Sequence, residues 1–342
     1  MGADAGGVRD APSRSTGPGG VQPIRPATVA RLYLAGQAVA GALWWVAVFA
    51  SDTVRVWTLG AWDPWLLVGP DLLLFVGGSA FAAARGSWRV AAVTAVWSTV
   101  LTVALLGQGL LDRAAGWGVL LMLAATVGSV AAAVTLRFGR FPTGWYFVGP
   151  FRFRVARART RRRHVIASLT QLLVFWVGFF VVVPLLLVAF ERRLRVDWSA
   201  LAADPWPTVG AALFLVASPL GLASCLTMAI AGEGTPLPAQ TARRLVVAGP
   251  YRWLRNPMAT AGVLQSIGAG LWFGSWTMIV AAVLGGLAWH HGIRGAEEAD
   301  LLARFGDPYE RYRASVRVWV PRLPGRRGDR SPGAGQVAGS RR

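Results

Sequence analysis

The chain of 342 residues has no lysine, one cysteine and three histidines, and only 15% of it is charged. Each scarcity excludes something. A lone Cys225 leaves no internal disulfide framework and no cysteine-based zinc site. His164, His290 and His291 do not make a histidine-rich metal centre, so no metal site is assigned. With 54% hydrophobic residues and a mean hydropathy of +0.46, polar surface is too sparse to coat a water-soluble globule of this size, which excludes an ordinary cytosolic enzyme. The basic residues are all arginine, 35 against 16 acidic, for a net charge of +19. Such an excess suits nucleic acid or an anionic membrane surface. The arginines are spread over loops and no aromatic-interleaved basic patch appears, so nucleic acid is not assigned as a partner.

What the chain does have is long apolar runs. A bilayer-spanning helix takes about 20 apolar residues, and runs of this kind fall near 31–50, 65–84, 89–111, 115–136, 166–190, 207–231, 257–273 and 275–293. They predict an all-α integral membrane protein with about eight transmembrane helices. Arginines fix the orientation. Arg154, Arg157, Arg161, Arg162 and Arg163 follow the fourth run, and Arg243, Arg244, Arg252 and Arg255 precede the seventh, which places these loops and both termini in the cytoplasm. Arg192, Arg193 and Arg195 are discordant, on the opposite side. Residues 1–24 and 323–342 are Gly, Pro, Ser and Arg without apolar period and predict disordered tails. Residues 25–164 form a four-helix accessory region, and 165–322 the part that carries chemistry. No signal peptide is visible, so the first run is read as an uncleaved anchor.

The spans themselves read as walls, without ionisable groups at mid-depth. Gln37, Gln108 and Gln171 read as hydrogen-bonding glue between helices, and Gly270 and Gly274 as close packing at a hairpin tip.

Chemistry concentrates after residue 232. Gly232 to Pro238 ends the sixth run with residues that cannot continue a helix. Pro257 then opens the seventh at its first turn, leaving Arg255 and Asn256 at a positive helix end suited to an anionic ligand. Beyond the eighth run, His290, Arg294 and Glu297 or Glu298 share one helical face. Their plain reading is a solvated helix end with an Arg294–Glu298 surface pair. Asp307-Pro308 signals a cap and first turn of a short interfacial helix to about Val316, with Tyr309 and Tyr312 at helical spacing. Val318-Trp319-Val320-Pro321-Arg322 can pack back over the mouth.

The order Gly249-Pro250-Tyr251-Arg252-x-x-Arg255-Asn256-Pro257-Met258, a short apolar hairpin, Glu297-Glu298, Phe305-Gly306-x-x-Tyr309-x-x-Tyr312 and Trp319-x-Pro321-Arg322 resembles the isoprenylcysteine carboxyl methyltransferase and phospholipid methyltransferase group of membrane enzymes. The resemblance covers roughly 232–322. It implies a catalytic helical hairpin, S-adenosylmethionine bound from the cytosol, and a lipophilic acceptor arriving through the bilayer. By position it assigns Arg255, Asn256, Pro257, His290, Glu297, Glu298, Tyr309 and Tyr312 to the cofactor, with Glu297, Glu298, Arg252 and Arg322 as catalytic groups. A carboxylate acceptor would use Arg252 or Arg322 as a clamp, and an amine acceptor would lose its proton to Glu297 or Glu298. The chain departs from many relatives at Asn256, often His, and Ala259, often Tyr, which leaves the acceptor open.

The resulting expectation is an S-adenosylmethionine-dependent methyltransferase in the plasma membrane, its site facing the cytoplasm, with membrane lipids and a lipophilic acceptor as partners. Two alternatives stand beside it: an NADPH-dependent reductase of the sterol or steroid type, and a non-catalytic membrane scaffold.

Overall fold

A computed structural model of the protein describes residues 25–142, 154–157, 160–235 and 240–321; the two predicted tails and Arg322 lie outside them. Among the described residues the chain is helical, with two isolated β-bridges, Val155 to Thr241 and Leu254 to Arg317, in place of any strand. In a chain this apolar, helices satisfy the backbone within each segment and need no partner strand or water.

Six helices make the first half. α1 (Pro26–Ala50) opens on Pro26, whose missing N–H costs nothing at a first turn. α2 (Asp52–Leu59) is capped by Ser51, and α3 (Pro64–Asp71) by Asp63, whose carboxylate accepts from the N–H of Trp65. α3 passes through a widened π turn, Leu72–Gly77, into α4 (Gly78–Arg85), which stops at Gly86 in the left-handed conformation, φ +65°. α5 (Trp88–Asp112), capped by Ser87, and α6 (Gly116–Phe138) complete it.

The second half begins with α7 (Arg161–Val177), which runs through a π turn at Gly178–Val182 into α8 (Val183–Leu194). There follow α9 (Trp206–Ala231), α10 (Pro257–Phe273), α11 (Trp276–Ala288), a π turn at Trp289–Ile293, α12 (Arg294–Phe305) and α13 (Asp307–Ser315).

Seven helical units among the described residues are long and apolar enough to cross a bilayer, one fewer than the eight predicted runs. The difference is α10, whose 17 residues reach roughly 26 Å against a hydrocarbon core of about 30 Å. The last run does not stop at 293 either: α11, its π turn and α12 form one continuous helix to Phe305. Large apolar side chains face outward, Leu66, Leu111 and Val216 being 75%, 79% and 77% exposed, as suits a hydrocarbon solvent.

Inside, small residues let the helices close on one another. Ala30, Ala82, Ala91, Ala132 and Ala133 cluster around Leu34 where α1, α4, α5 and α6 meet. Gln37 ties three of these helices, its Nε2 donating to Ser79 Oγ and Ser129 Oγ, each at 2.9 Å, while Tyr33 donates to its Oε1 at 2.6 Å. The amide of Gln108, oriented to satisfy both ends, bridges the carbonyl of Leu59 and the N–H of Ala61. Gln171 does not act as glue: its Oε1 is buried with no hydrogen-bond partner among the described residues.

The walls are not free of ionisable groups, contrary to the sequence reading. Asp71, in the second span, is 2% exposed, and Glu191, at the end of α8, is 1% exposed. Both receive hydrogen bonds from neighbours. Asp71 accepts from the indoles of Trp45 at 2.8 Å and Trp97 at 2.7 Å. Glu191 holds the α10–α11 hairpin, accepting from Ser275 Oγ at 2.9 Å and from the N–H of Thr277 at 2.8 Å, and from Thr277 Oγ1. The two halves meet beside it. Leu194 and Val196 pack among Leu105, Ala115 and Val119, Trp117 of α6 stacks on Trp276 of α11 at 5.6 Å, and the discordant Arg193 donates to the carbonyls of Leu110 and Leu111.

Glu191→Ala would strand three donors in a water-free joint, and each costs about 1–3 kcal/mol when left unmade. Thermal unfolding in detergent should show a clear fall in Tm for Glu191→Ala and a smaller one for Glu191→Gln; equal, negligible shifts would remove Glu191 from this role.

Candidate functional site

The site is built where α9 gives out. Gly232 stops the helix, Glu233 takes a left-handed turn at φ 52°, and the backbone folds back so that Arg243 and Arg244 donate to the carbonyl of Gly232. Glu233 pairs with Arg244 at 2.9 Å, which holds this turn at the surface. A 3-10 turn, Gly249–Arg252, then leads to Asn256, whose Oδ1 accepts from the N–H of Ala259 at 3.0 Å and so caps α10.

The C-terminal segment is laced onto this stretch. The N–H of Arg255 donates to the carbonyl of Arg317 at 2.9 Å, and the hydroxyl of Tyr312 donates to the carbonyl of Tyr251 at 2.7 Å. Trp319 packs edge-on against Trp289 and donates its indole N–H to Nδ1 of His290 at 2.9 Å. The predicted folding back of 318–321 is therefore seen. α13 starts one position earlier than its signal suggested, with Gly306 at φ 54° as the cap and Asp307 already helical.

Between α7, α9, α10, α12 and this segment lies a cavity of about 520 Å³. One end is apolar and aromatic, formed by Leu172, Phe175, Trp176 and Phe180. The other is polar and carries both signs of charge. Nη1 of Arg255 stands 3.0 Å from Oε1 of Glu298, which Arg294 also approaches at 3.6 Å. Arg304 pairs with Asp300 at 2.9 Å and donates to the carbonyl of Ala242 at 2.7 Å. Neutralisation is not saturation here. Nη1 of Arg255 and Nη2 of Arg304 face their carboxylates, but Nε of Arg255, Nε of Arg304 and the hydroxyl of Tyr251 are buried without a hydrogen-bond partner among the described residues. Glu297 lines the same end, and no ion pair to it occurs among the described residues. Buried donors left open are costly unless something else fills them.

Arg255, Asn256, Glu297, Glu298, Tyr309 and Tyr312 thus gather on one cavity wall, as the sequence reading grouped them. Four others stand elsewhere. Pro257 is buried under the cap of α10, His290 faces Trp319, and Arg252 is exposed; none of them lines the cavity. Arg322 lies outside the described residues. Arg244, Asp300, Arg304 and Tyr251 line the cavity without having been singled out. For Arg304 a signal existed, the i,i+4 spacing from Asp300 on α12. Tyr251 stood within the Gly-Pro-Tyr-Arg stretch, but its direction depends on a turn that no periodicity encodes.

Burial pushes the phenols of the site upward. Tyr309 rises to about 12, Glu298 adding to the effect of burial and Arg255 opposing it. Tyr312 is raised by burial and then by Tyr309, and Tyr251 by burial and then by Glu297. Folded values above the free phenol's mean that the stability these groups contribute is complete below about pH 10 and is lost as pH rises towards their folded values. A tyrosinate absorbance titration should therefore show a late fraction still protonated at about pH 11, reduced in Tyr309→Phe/Tyr312→Phe and absent in denaturant. Complete ionisation of the folded protein by that pH would contradict the packing described.

Residues 206–307 match the family described as phospholipid methyltransferase. The match runs from the start of α9 to the first residue of α13, 102 of 342 residues, and marks this segment of a multi-pass membrane protein as a methyltransferase-family region. It contains Arg255, Asn256, Glu297 and Glu298, and it ends before Tyr309, Tyr312 and Arg322. No curated protein matches the chain. Among solved structures, the eukaryotic intramembrane Ras methyltransferase, isoprenylcysteine carboxyl methyltransferase, is similar over 87% of this chain and 98% of its own, at 16% identity and a TM-score of 0.29.

Proposed function

We propose that the protein is an S-adenosylmethionine-dependent methyltransferase acting on a lipophilic acceptor embedded in the membrane. The observation that carries this reading is the cavity whose polar lining, with its open donors, comes mostly from the segment matching the phospholipid methyltransferase family, and whose aromatic lining comes from α7 and the π turn after it.

The residues present fit the cofactor. Its carboxylate suits the open N–H groups of Arg255 and Arg304, since charge-assisted bonds from guanidinium to carboxylate are the strong ones. Its ammonium suits Glu297, the carboxylate of the cavity without an ion pair among the described residues. S-adenosylmethionine supplies an electrophilic methyl group when bound. The chain supplies alignment and dryness, which a displacement at carbon chiefly demands. Asn256 fixes the start of α10, Tyr312 clamps the C-terminal segment onto Tyr251, and Val318 and Tyr309 add to the lining of the cavity.

The acceptor would enter from the bilayer and lie against Phe175, Trp176 and Phe180. A carboxylate acceptor would have no proton to lose. For an amine acceptor, Glu297 is the group placed to take the proton. Arg252, exposed and away from the cavity, would serve only as an outer contact. The arginine-rich loops support a cytoplasmic side for this end of the cavity, and the plasma membrane is the location that goes with this reading.

Equilibrium binding of S-adenosylmethionine and NADPH to the detergent-purified protein tests the reading directly, and NADPH binding alone would overturn it in favour of a reductase. Arg255→Ala should weaken S-adenosylmethionine by at least about tenfold, the effect of removing one partner of a half-buried charged contact, while leaving the acceptor's KM nearly unchanged. Glu297→Gln/Glu298→Gln should abolish binding or turnover without loss of membrane insertion; full activity would return the acidic pair to a solvated surface role.

A further inference from the structure

A second cavity, of about 490 Å³, lies wholly within the first six helices, and no residue of the methyltransferase-family segment lines it. Its size falls in the range of small-molecule sites, about 300–1,000 Å³. Leu32, Gly36 and Ala40 of α1 and Leu121 and Ala124 of α6 line it while also being exposed, so the cavity opens between these helices onto the apolar outer surface. In a bilayer that opening faces hydrocarbon, and its walls are apolar accordingly.

Its inner wall is different. Asp71 lines it, 2% exposed, between Trp45 and Phe75. Each carboxylate oxygen accepts one indole N–H, and no arginine pairs with Asp71 among the described residues. Two neutral donors do not compensate a charge at this depth, and an acid inside a span is retained at a cost of several kcal/mol by order of magnitude. Packing alone does not require it, because an aliphatic side chain would fill the same place. The second span is also deformed at this point. Pro70 interrupts the regular ladder, the π turn Leu72–Gly77 follows, and Thr94 Oγ1 donates to the carbonyl of Leu74 at 3.0 Å to satisfy the widened backbone. π turns of this kind recur at functional sites.

We propose that this cavity binds a lipophilic amine: a hydrocarbon chain enters laterally between α1 and α6, and its ammonium head reaches Asp71. The cation completes what the indoles leave undone, and the chain replaces bilayer lipid along the apolar walls. The site is independent of the methyltransferase reading, since none of its residues contacts the other cavity.

The test uses the full chain in detergent and a long-chain alkylamine carrying a diazirine on its hydrocarbon tail. Photolabelling should map to α1 and α6 peptides bordering the mouth, be suppressed by excess oleylamine, and resist the same excess of methyl oleate. Gly36→Phe places a ring at the mouth, at a position where an added Cβ meets nothing within 4 Å. It should cut labelling by at least about tenfold, as should Asp71→Asn through loss of the charge-assisted contact. Labelling spread over all lipid-facing helices, equal competition by methyl oleate, or indifference to Gly36→Phe would overturn the proposal and leave ordinary bilayer lipid in the crevice. Should Asp71→Asn fail to fold, Gly36→Phe and the two competitors still decide the matter.

Discussion

A polar group carried into hydrocarbon must find its partner within the protein, and nearly every feature of this structure follows from that constraint. It makes the described chain helical, because only intrasegment hydrogen bonds are available to a spanning backbone. It dictates how the few internal polar side chains are used. Gln37 is surrounded by Ser79, Ser129 and Tyr33, Asp71 by two indoles, and Glu191 by the hydroxyls and N–H of the α10–α11 hairpin. Each of these arrangements joins elements far apart in the chain, so that satisfying one group fixes the relative position of two or three helices.

The same constraint makes the open donors of the large cavity informative. Elsewhere in the interior the polar groups are mostly matched, whereas Arg255, Arg304 and Tyr251 leave buried N–H and O–H groups unmatched around one space. They are held there rigidly: Asn256 caps α10, the main chain of Arg255 is tied to Arg317, and Tyr312 locks the C-terminal segment to the turn at Tyr251. A set of donors so fixed, with Glu297 beside it and an aromatic wall opposite, is preorganised for a zwitterionic ligand next to a lipophilic one. Among the described residues no group of three or more His, Cys, Asp or Glu comes together in a way that could hold a metal ion.

The first half of the chain is not a detached anchor. It docks through Leu105, Val119 and Trp117 onto the loop after α8 and the start of α11, and Glu191 braces the hairpin from the same joint. The hairpin in turn carries α10, whose other end bears Arg255 and Asn256. A mechanical path therefore links the two cavities through packed helices. One of the discordant arginines belongs to this joint: Arg193 caps the carbonyl end of α5, which accounts for its positive charge on the side the inside rule disfavours.

The sequence by itself determined the helical membrane class and where the apolar runs fall, and the order of its motifs carried the resemblance that grouped Arg255, Asn256, Glu297, Glu298, Tyr309 and Tyr312. Those features are local or follow from periodicity and order along the chain, and hydropathy is additive over a window. Tertiary structure decided the rest. Whether 257–273 is long enough to span depends on where its caps fall, and the continuation of the last helix to Phe305 depends on a π turn that keeps it unbroken. Arg304 and Tyr251 reach the cavity, and Arg252 and His290 do not, because of turn geometry and the fold-back of residues 316–321. Asp71 and Glu191 are passed over when the spans are read as walls. Only the approach of Trp45, Trp97, Ser275 and Thr277, residues 26 to 86 positions away, gives each acid its hydrogen-bond donors, and no one-dimensional pattern carries that information.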